Sequence, residues 1–260
     1  MTDPMHGRSL RFVGRAFLLS ALIAGVSLGE AWAFVPPIGK IVDQVARANR
    51  AAGRAHSLVL SVALRSGDDR TLAQGELATD SRGLARLELT GNGGGERHLL
   101  RGGEHLAARH GSMISGPAPY LPPIFLLQAG NGDRLLSGVL SQGASGDETV
   151  LGRHDGAVCY VLGGRDLQPA GNASASEVGS AGPKSAVWVT RDGYRIVRID
   201  HSDGTRFVLG PARDFGGATL PEWIRIERPG VPTTRLEILS ARRSRFDLAV
   251  TFGMDWLLER

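Results

Sequence analysis

The sequence predicts a mainly β protein with helices, an α+β arrangement of antiparallel strands and a small number of helical segments. The first observation behind it is that apolar residues alternate with a period of two in most runs after Leu58. The second is that compact turns rich in Gly, Asp and Ser separate these runs. The third is that two segments, Ile38 to Ala48 and Ile124 to Ala129, are apolar without that alternation.

At the front, Arg8, Arg11 and Arg15 precede the apolar run Phe17 to Val26, and the small-residue triplet Ala31-Trp32-Ala33 follows. That order is the layout of a secretory signal peptide. The expectation is cleavage after Ala33, export to the periplasm, and a single domain over 34–260. The apolar run falls short of the ~20 residues that a spanning helix needs, and no later stretch reaches that length.

After Pro36-Pro37, residues Ile38, Ile41, Val42, Val45 and Ala48 recur at spacings of three and four, with Lys40, Asp43, Gln44 and Arg47 between them. This predicts one amphipathic helix ending near Gly53. The period then changes to two: Leu58, Leu60, Val62 and Leu64 alternate with Val59, Ser61, Ala63 and Arg65. Strands are expected there and at Thr71 to Asp80, Leu84 to Thr90, Arg97 to Arg101 and Glu104 to Arg109. The glycine-rich Gly91 to Gly95 reads as a flexible connection. Short turns between such strands favour an antiparallel meander.

Pro117, Pro119, Pro122 and Pro123 then break the pattern, because proline cannot donate to a strand ladder. A loop feeding a short apolar helix to about Ala129 is expected, then a short helix or irregular segment over Arg134 to Leu140. Asp155-Gly156, Asp192-Gly193 and Asp203-Gly204 each lie between β-prone runs and signal hairpins. Gln168 to Lys184 reads as a flexible surface loop. Strands are expected at Pro221 to Arg228 and Thr234 to Leu239. The tail, Phe246 to Leu258, fits a last strand or a short packing helix.

The formal net charge is +4, almost wholly from arginine, since Lys40 and Lys184 are the only lysines. The arginines are dispersed, apart from Arg242, Arg243 and Arg245, and lack the concentrated basic face with interleaved aromatics that nucleic acid requires. Peripheral contact with anionic headgroups is compatible with that charge. Cys159, the single cysteine, lies in the apolar stretch Ala157 to Leu162 and reads as a buried thiol.

His98, His105 and His110 fall on a hairpin without metal-ligand spacing, and read as exposed or structural. No Gly-x-Ser-x-Gly elbow occurs. His154 and Asp155 are sequence neighbours on a turn. Gly91 to Gly95 lacks the Lys-Ser/Thr of a phosphate loop. No catalytic residue, metal ligand or cofactor is therefore expected, and the chain is read as a non-enzyme.

The order of elements resembles the outer-membrane lipoprotein carrier and sorting superfamily, the LolA/LolB type. The likeness rests on Ile38 to Ala48, Leu58 to Leu64, Leu151-Gly152-Arg153 with Val158 to Leu162, Val187 to Gly193, and Leu220 to Ile226. It implies an unclosed antiparallel half-barrel sheet covering the N-terminal helix and a short helical insertion. It further implies an apolar cavity that accepts the acyl chains of a lipid or lipoprotein. By that analogy the lining residues are Leu60 and Val62 on the first strand, Leu87 and Leu89 on the third, and Ile124, Phe125 and Leu127 on the insertion. The implied role is outer-membrane lipoprotein sorting or envelope lipid transport. The alternative is an envelope sensor or adaptor of the same fold that binds a protein partner.

Overall fold

In the computed structural model the described residues are 35–91, 94–101, 103–114, 120–164 and 184–259. The leader expected at 1–33 and the loop expected at 168–184, except Lys184, fall outside them.

Helix α1 (Ile38–Ala51) follows Pro37, whose extended backbone sets the entry, and buries Ile41, Val42, Val45, Ala46 and Asn49 along one stripe. It ends where Gly53 takes φ +66°, and a Cβ there would come within 2.0 Å of the Gly217 carbonyl oxygen. A meander follows: β1 (Leu58–Ser66), β2 (Thr71–Asp80), β3 (Leu84–Gly91), β4 (Gly94–Arg101), β5 (Glu104–Arg109) and β6 (Ser112–Met113). The insertion is a 3₁₀ turn, Ile124–Leu127, and helix α2 (Gly132–Ser141), capped by the Asn131 side chain accepting from the Arg134 N–H.

The second half adds β7 (Thr149–His154), β8 (Ala157–Leu162), β9 (Ala186–Thr190), β10 (Ile196–Asp200) and β11 (Arg206–Leu209). A small ribbon, β12 (Ala212–Asp214) with β13 (Thr219–Pro221), precedes β14 (Trp223–Arg228) and β15 (Val231–Arg243). Helices α3 (Leu248–Thr251) and α4 (Met254–Leu258) close the tail.

Among the described residues one antiparallel sheet of 13 strands runs β6-β5-β4-β3-β2-β1-β15-β14-β11-β10-β9-β8-β7. The meander and the later hairpins meet at its middle, where β1 pairs with β15 from Leu58↔Arg243 to Ser66↔Thr234. Its edges, β6 and β7, are not paired to each other, so the sheet is an unclosed half-barrel over α1 and the insertion, as expected.

Period-two alternation sorts the strands into two faces. Leu58, Leu60, Val62 and Leu64 of β1, Leu77 of β2, and Ala85, Leu87 and Leu89 of β3 meet α1 and the insertion in one continuous core. On the other face Val59, Ala78, Leu99 and Ala108 are covered by Phe252 and Leu257 of the tail. Arg86 and Arg97 lie over the Trp256 ring at 4.8 and 5.4 Å, fastening that tail with cation–π contacts. The tail is thus two short packing helices rather than a strand.

Some local expectations change. Asp155 (φ +46°) and Gly156 (φ +80°) form the two-residue primed turn between β7 and β8. At the other two Asp-Gly pairs the aspartate does not adopt positive φ, and five residues separate the strands at each. The glycine-rich stretch is mostly strand, because β3 extends to Gly91 and β4 begins at Gly94. Close approach is the reason at Gly91, where a Cβ would lie 2.4 Å from the Leu72 carbonyl oxygen.

Phe252 is 1% exposed and joins the tail to the outer face. Phe252→Ala is expected to lower unfolding stability by about 3–5 kcal/mol, read as a shift of the urea midpoint.

Candidate functional site

An antiparallel sheet that does not close needs cover for its apolar inner face. Here the cover is α1 and the Ile124–Leu127 turn, and buried hydrogen bonds fix one against the other. Asn49 Nδ2 of α1 donates to the Leu126 and Ala129 carbonyls, each at 3.0 Å. Gln128 Nε2 donates to the His56 carbonyl at 2.7 Å, and Thr79 Oγ1 of β2 donates to Gln128 Oε1 at 2.8 Å. Carbonyls at the end of a 3₁₀ turn lack partners within the turn, so buried amide side chains that reach them satisfy polar groups that would otherwise be stranded.

All seven residues expected to line a cavity lie in the single inner core. Leu60, Val62, Leu87, Leu89, Ile124, Phe125 and Leu127 are each at most 4% exposed. The face of each strand agrees with the period-two reading. Protein fills the space among them: Ile41, Val42 and Val45 of α1 and Leu126 of the insertion belong to the same core.

Clefts reach this core from both ends. A cleft of about 400 Å³ lies between α2 and the β2–β3 turn, lined by Ser81, Arg82, Gly83, Leu100, Phe125 and Ser137 among others. Gly138 permits the close approach of α2 there, since a Cβ would sit 2.7 Å from Leu126 Cδ2. A second cleft, of about 190 Å³, is lined by Leu64, Leu72, Leu89, Glu96, Arg109 and Tyr120 at the far ends of the same strands. Phe125 and Leu89 are therefore the two expected residues that border these openings.

The two ends differ in polarity. Beside the larger cleft Asp80 accepts from Ser57 Oγ at 2.5 Å and from Arg82 Nε at 2.7 Å. Burial opposes ionisation of Asp80, but these donors win and hold its carboxyl below the usual range. At the far end Glu96 Oε2 lies 3.4 Å from His98 Nε2, and Arg109 bonds the other carboxylate oxygen. His98 and Arg109 draw Glu96 down to about 2 against desolvation. The fully buried His98 meets Tyr120 edge-on with ring centroids 5.9 Å apart. Among the described residues no group of three His, Cys, Asp or Glu could hold a metal ion. Cys159 is buried, and desolvation pushes its thiol up.

No family model matches the chain, and none of the curated proteins matches it significantly by sequence. Solved structures do match. A LolA superfamily protein from Nitrosomonas europaea superposes with a TM-score of 0.52 at 12% identity, covering 86% of this chain and 100% of that one. The fold is LolA-like. A DUF1329 family protein from Desulfovibrio piger gives a TM-score of 0.40 at 14% identity, over 86% of this chain and 100% of its own. At that score it adds nothing to the fold comparison.

In this LolA-like fold the inner polar residues are what sequence reading missed. His98 and His105 share the inner side of their hairpin, with His98 paired to Ala107 and His105 to Leu100. Asn49 and Arg54 are likewise buried. The signal available was only that Asn49 falls on the apolar stripe of α1, four residues after Val45.

Burial first, then the neighbouring His201 and His98, lowers the His105 imidazole from 6.5 to about 4, while Asp203 acts weakly in the other direction. Between those values the unfolded chain binds a proton that the folded chain does not, so stability is lost as pH falls from 6.5 to 4. The loss from this group is on the order of 3 kcal/mol. Urea titrations at pH 7 and pH 4.5 should show it, and His105→Gln should reduce the difference.

Proposed function

We propose that the chain is an exported periplasmic protein that binds the acyl chains of a lipid or lipoprotein on the inner face of its half-barrel, without catalysis. In this reading residues 1–33 are removed, 34–260 act as one domain, and the role is lipoprotein sorting or envelope lipid transport. The observation that carries it is the nature of the cover. An apolar inner face is closed by a helix and a 3₁₀ turn that side-chain hydrogen bonds tie to each other and, through Thr79, to β2, without pairing into the sheet.

Entry by displacement exchanges one apolar burial for another, since re-exposing Ile124 to Leu127 costs about 1.5–3 kcal/mol per side chain. The cover's buried hydrogen bonds contribute about 1 kcal/mol each. Each methylene moved from water into the interior contributes about 0.8 kcal/mol, so a chain of about ten carbons offsets several such bonds. The cleft beside α2 falls within the ~300–1,000 Å³ range of ligand sites and has Phe125 in its wall. It is the entry route in this proposal, and Leu60, Val62, Leu87, Leu89, Ile124 and Leu127 are the interior contacts. In the LolA-like likeness, the protein's own side chains occupy the cargo volume until the cover moves.

A second reading, a sensor or adaptor of the same fold that binds a protein partner, is favoured by the same filled interior. It also draws on the tail, where Val250 is 71% exposed and Met254 and Leu258 are exposed as well.

Native mass spectrometry of residues 34–260, purified from periplasm without detergent, separates the two. The carrier reading expects a lipid-sized adduct that is lost on denaturation. It also expects Ser137→Trp, which fills the cleft from an exposed position, to reduce that adduct several-fold. A bare mass for the unmodified chain would favour the adaptor.

A further inference from the structure

Arg54 is 7% exposed, yet among the described residues its guanidinium forms no ion pair with a carboxylate. Nη2 donates to Asn49 Oδ1 at 2.8 Å, and Nε is buried without any hydrogen-bond partner. Other arginines of this chain behave differently: Arg65, Arg82, Arg97 and Arg198 each have an acidic partner. The charge that acts on Arg54 is a second cation, Arg195. Desolvation first, and Arg195 second, lower the Arg54 guanidinium to about 10. A buried cation facing another cation is an expensive arrangement unless an anion completes it.

A cleft of about 250 Å³ lies at these two side chains. Its walls are Ile196, Val197, Leu209, Gly210, Pro211 and Pro221 among others. The opening has a topological cause. The pairing of β10 with β11 stops at Arg198↔Val208, so Ile196 and Gly210 part, and Pro211 and Pro221 have no N–H to bridge the gap. Asn49 holds Arg54 in place while the same side chain fixes the Ile124–Leu127 turn.

We propose that Arg54 and Arg195 form a binding site for a phosphate-type oxyanion, either free phosphate or the phosphate of a lipid headgroup. Two guanidinium groups suit such an anion because their N–H donors match its oxygens and their charge persists at neutral pH. The site stands whether or not an acyl chain enters the interior.

The test is calorimetric titration of residues 34–260 at constant ionic strength with inorganic phosphate, and separately with dihexanoyl phosphatidic acid below its micelle concentration. Saturable binding of one equivalent is expected for at least one probe, weakened tenfold or more in Arg195→Gln. Arg195 is exposed, so that variant should fold even if Arg54→Gln does not. Arg153→Gln, an exposed arginine on β7, controls for net charge and should bind as the unmodified chain does. Phosphatidic acid binding at least tenfold more tightly than phosphate identifies a headgroup site, and equal affinities identify a free-phosphate site. Failure of both probes to saturate, or binding unchanged in Arg195→Gln, would overturn the proposal. Loss of the lipid adduct in native mass spectrometry with phosphate binding intact would instead count against the carrier reading alone.

Discussion

The structure depends on one constraint: a strongly apolar sheet face that closure does not protect. A closed barrel would fill its interior from its own strands, but here β6 and β7 remain edges and the inner side chains need separate cover. Helix α1 supplies part of it, and the four consecutive buried residues Ile124 to Leu127 supply more. Covering elements of this kind bring backbone polar groups into the interior. Asn49 and Gln128 resolve that conflict by binding the Leu126, Ala129 and His56 carbonyls. One asparagine therefore joins helix, insertion and the buried Arg54, so the packing of the cover and the charge at its margin are linked through a single side chain.

Arginine does different work on the two faces. Outside, Arg86 and Arg97 cover the Trp256 ring, and Arg198 stacks on Trp188 while it pairs with Asp200. These side chains lay apolar stems and flat guanidinium groups over aromatic surface while keeping contact with water and carboxylates. Inside, Arg54 has the opposite circumstances: burial, a neighbouring cation and no acid among the described residues. The contrast is one of environment rather than residue type, and it separates structural arginines from one equipped to bind.

Much of the architecture is legible in the chain because period-two alternation sorts side chains physically. Leu60 and Val62 on β1, and Leu87 and Leu89 on β3, share a face because a strand has no other way to place them. The spacing of Ile38, Ile41, Val42 and Val45 likewise fixes the buried side of α1. Long-range consequences are less legible. That β1 would pair with β15 depends on how the whole chain closes, and nothing local to Leu58 or Arg243 encodes it. Asp-Gly specifies a tight turn only where the flanking register permits, as at 155–156, while Thr190 bonding around Asp192 and Arg195 favours a wider turn. Burial of the apolar side chains at the candidate site was legible, and its polar part was not. A buried Arg54 and a surface arginine look identical in sequence, and Asn49 is recognisable only by its place on an apolar stripe.

The central claim is that the interior is covered by a displaceable element rather than sealed by a permanent core. Amide hydrogen exchange of residues 34–260, with and without saturating decanoic acid below its micelle concentration, tests it most directly. The account predicts faster exchange at Leu126 to Ala129 and at the C-terminal end of α1 when the acyl chain is bound, with β1 to β3 unchanged. Unchanged or increased protection of that segment at saturation would contradict it.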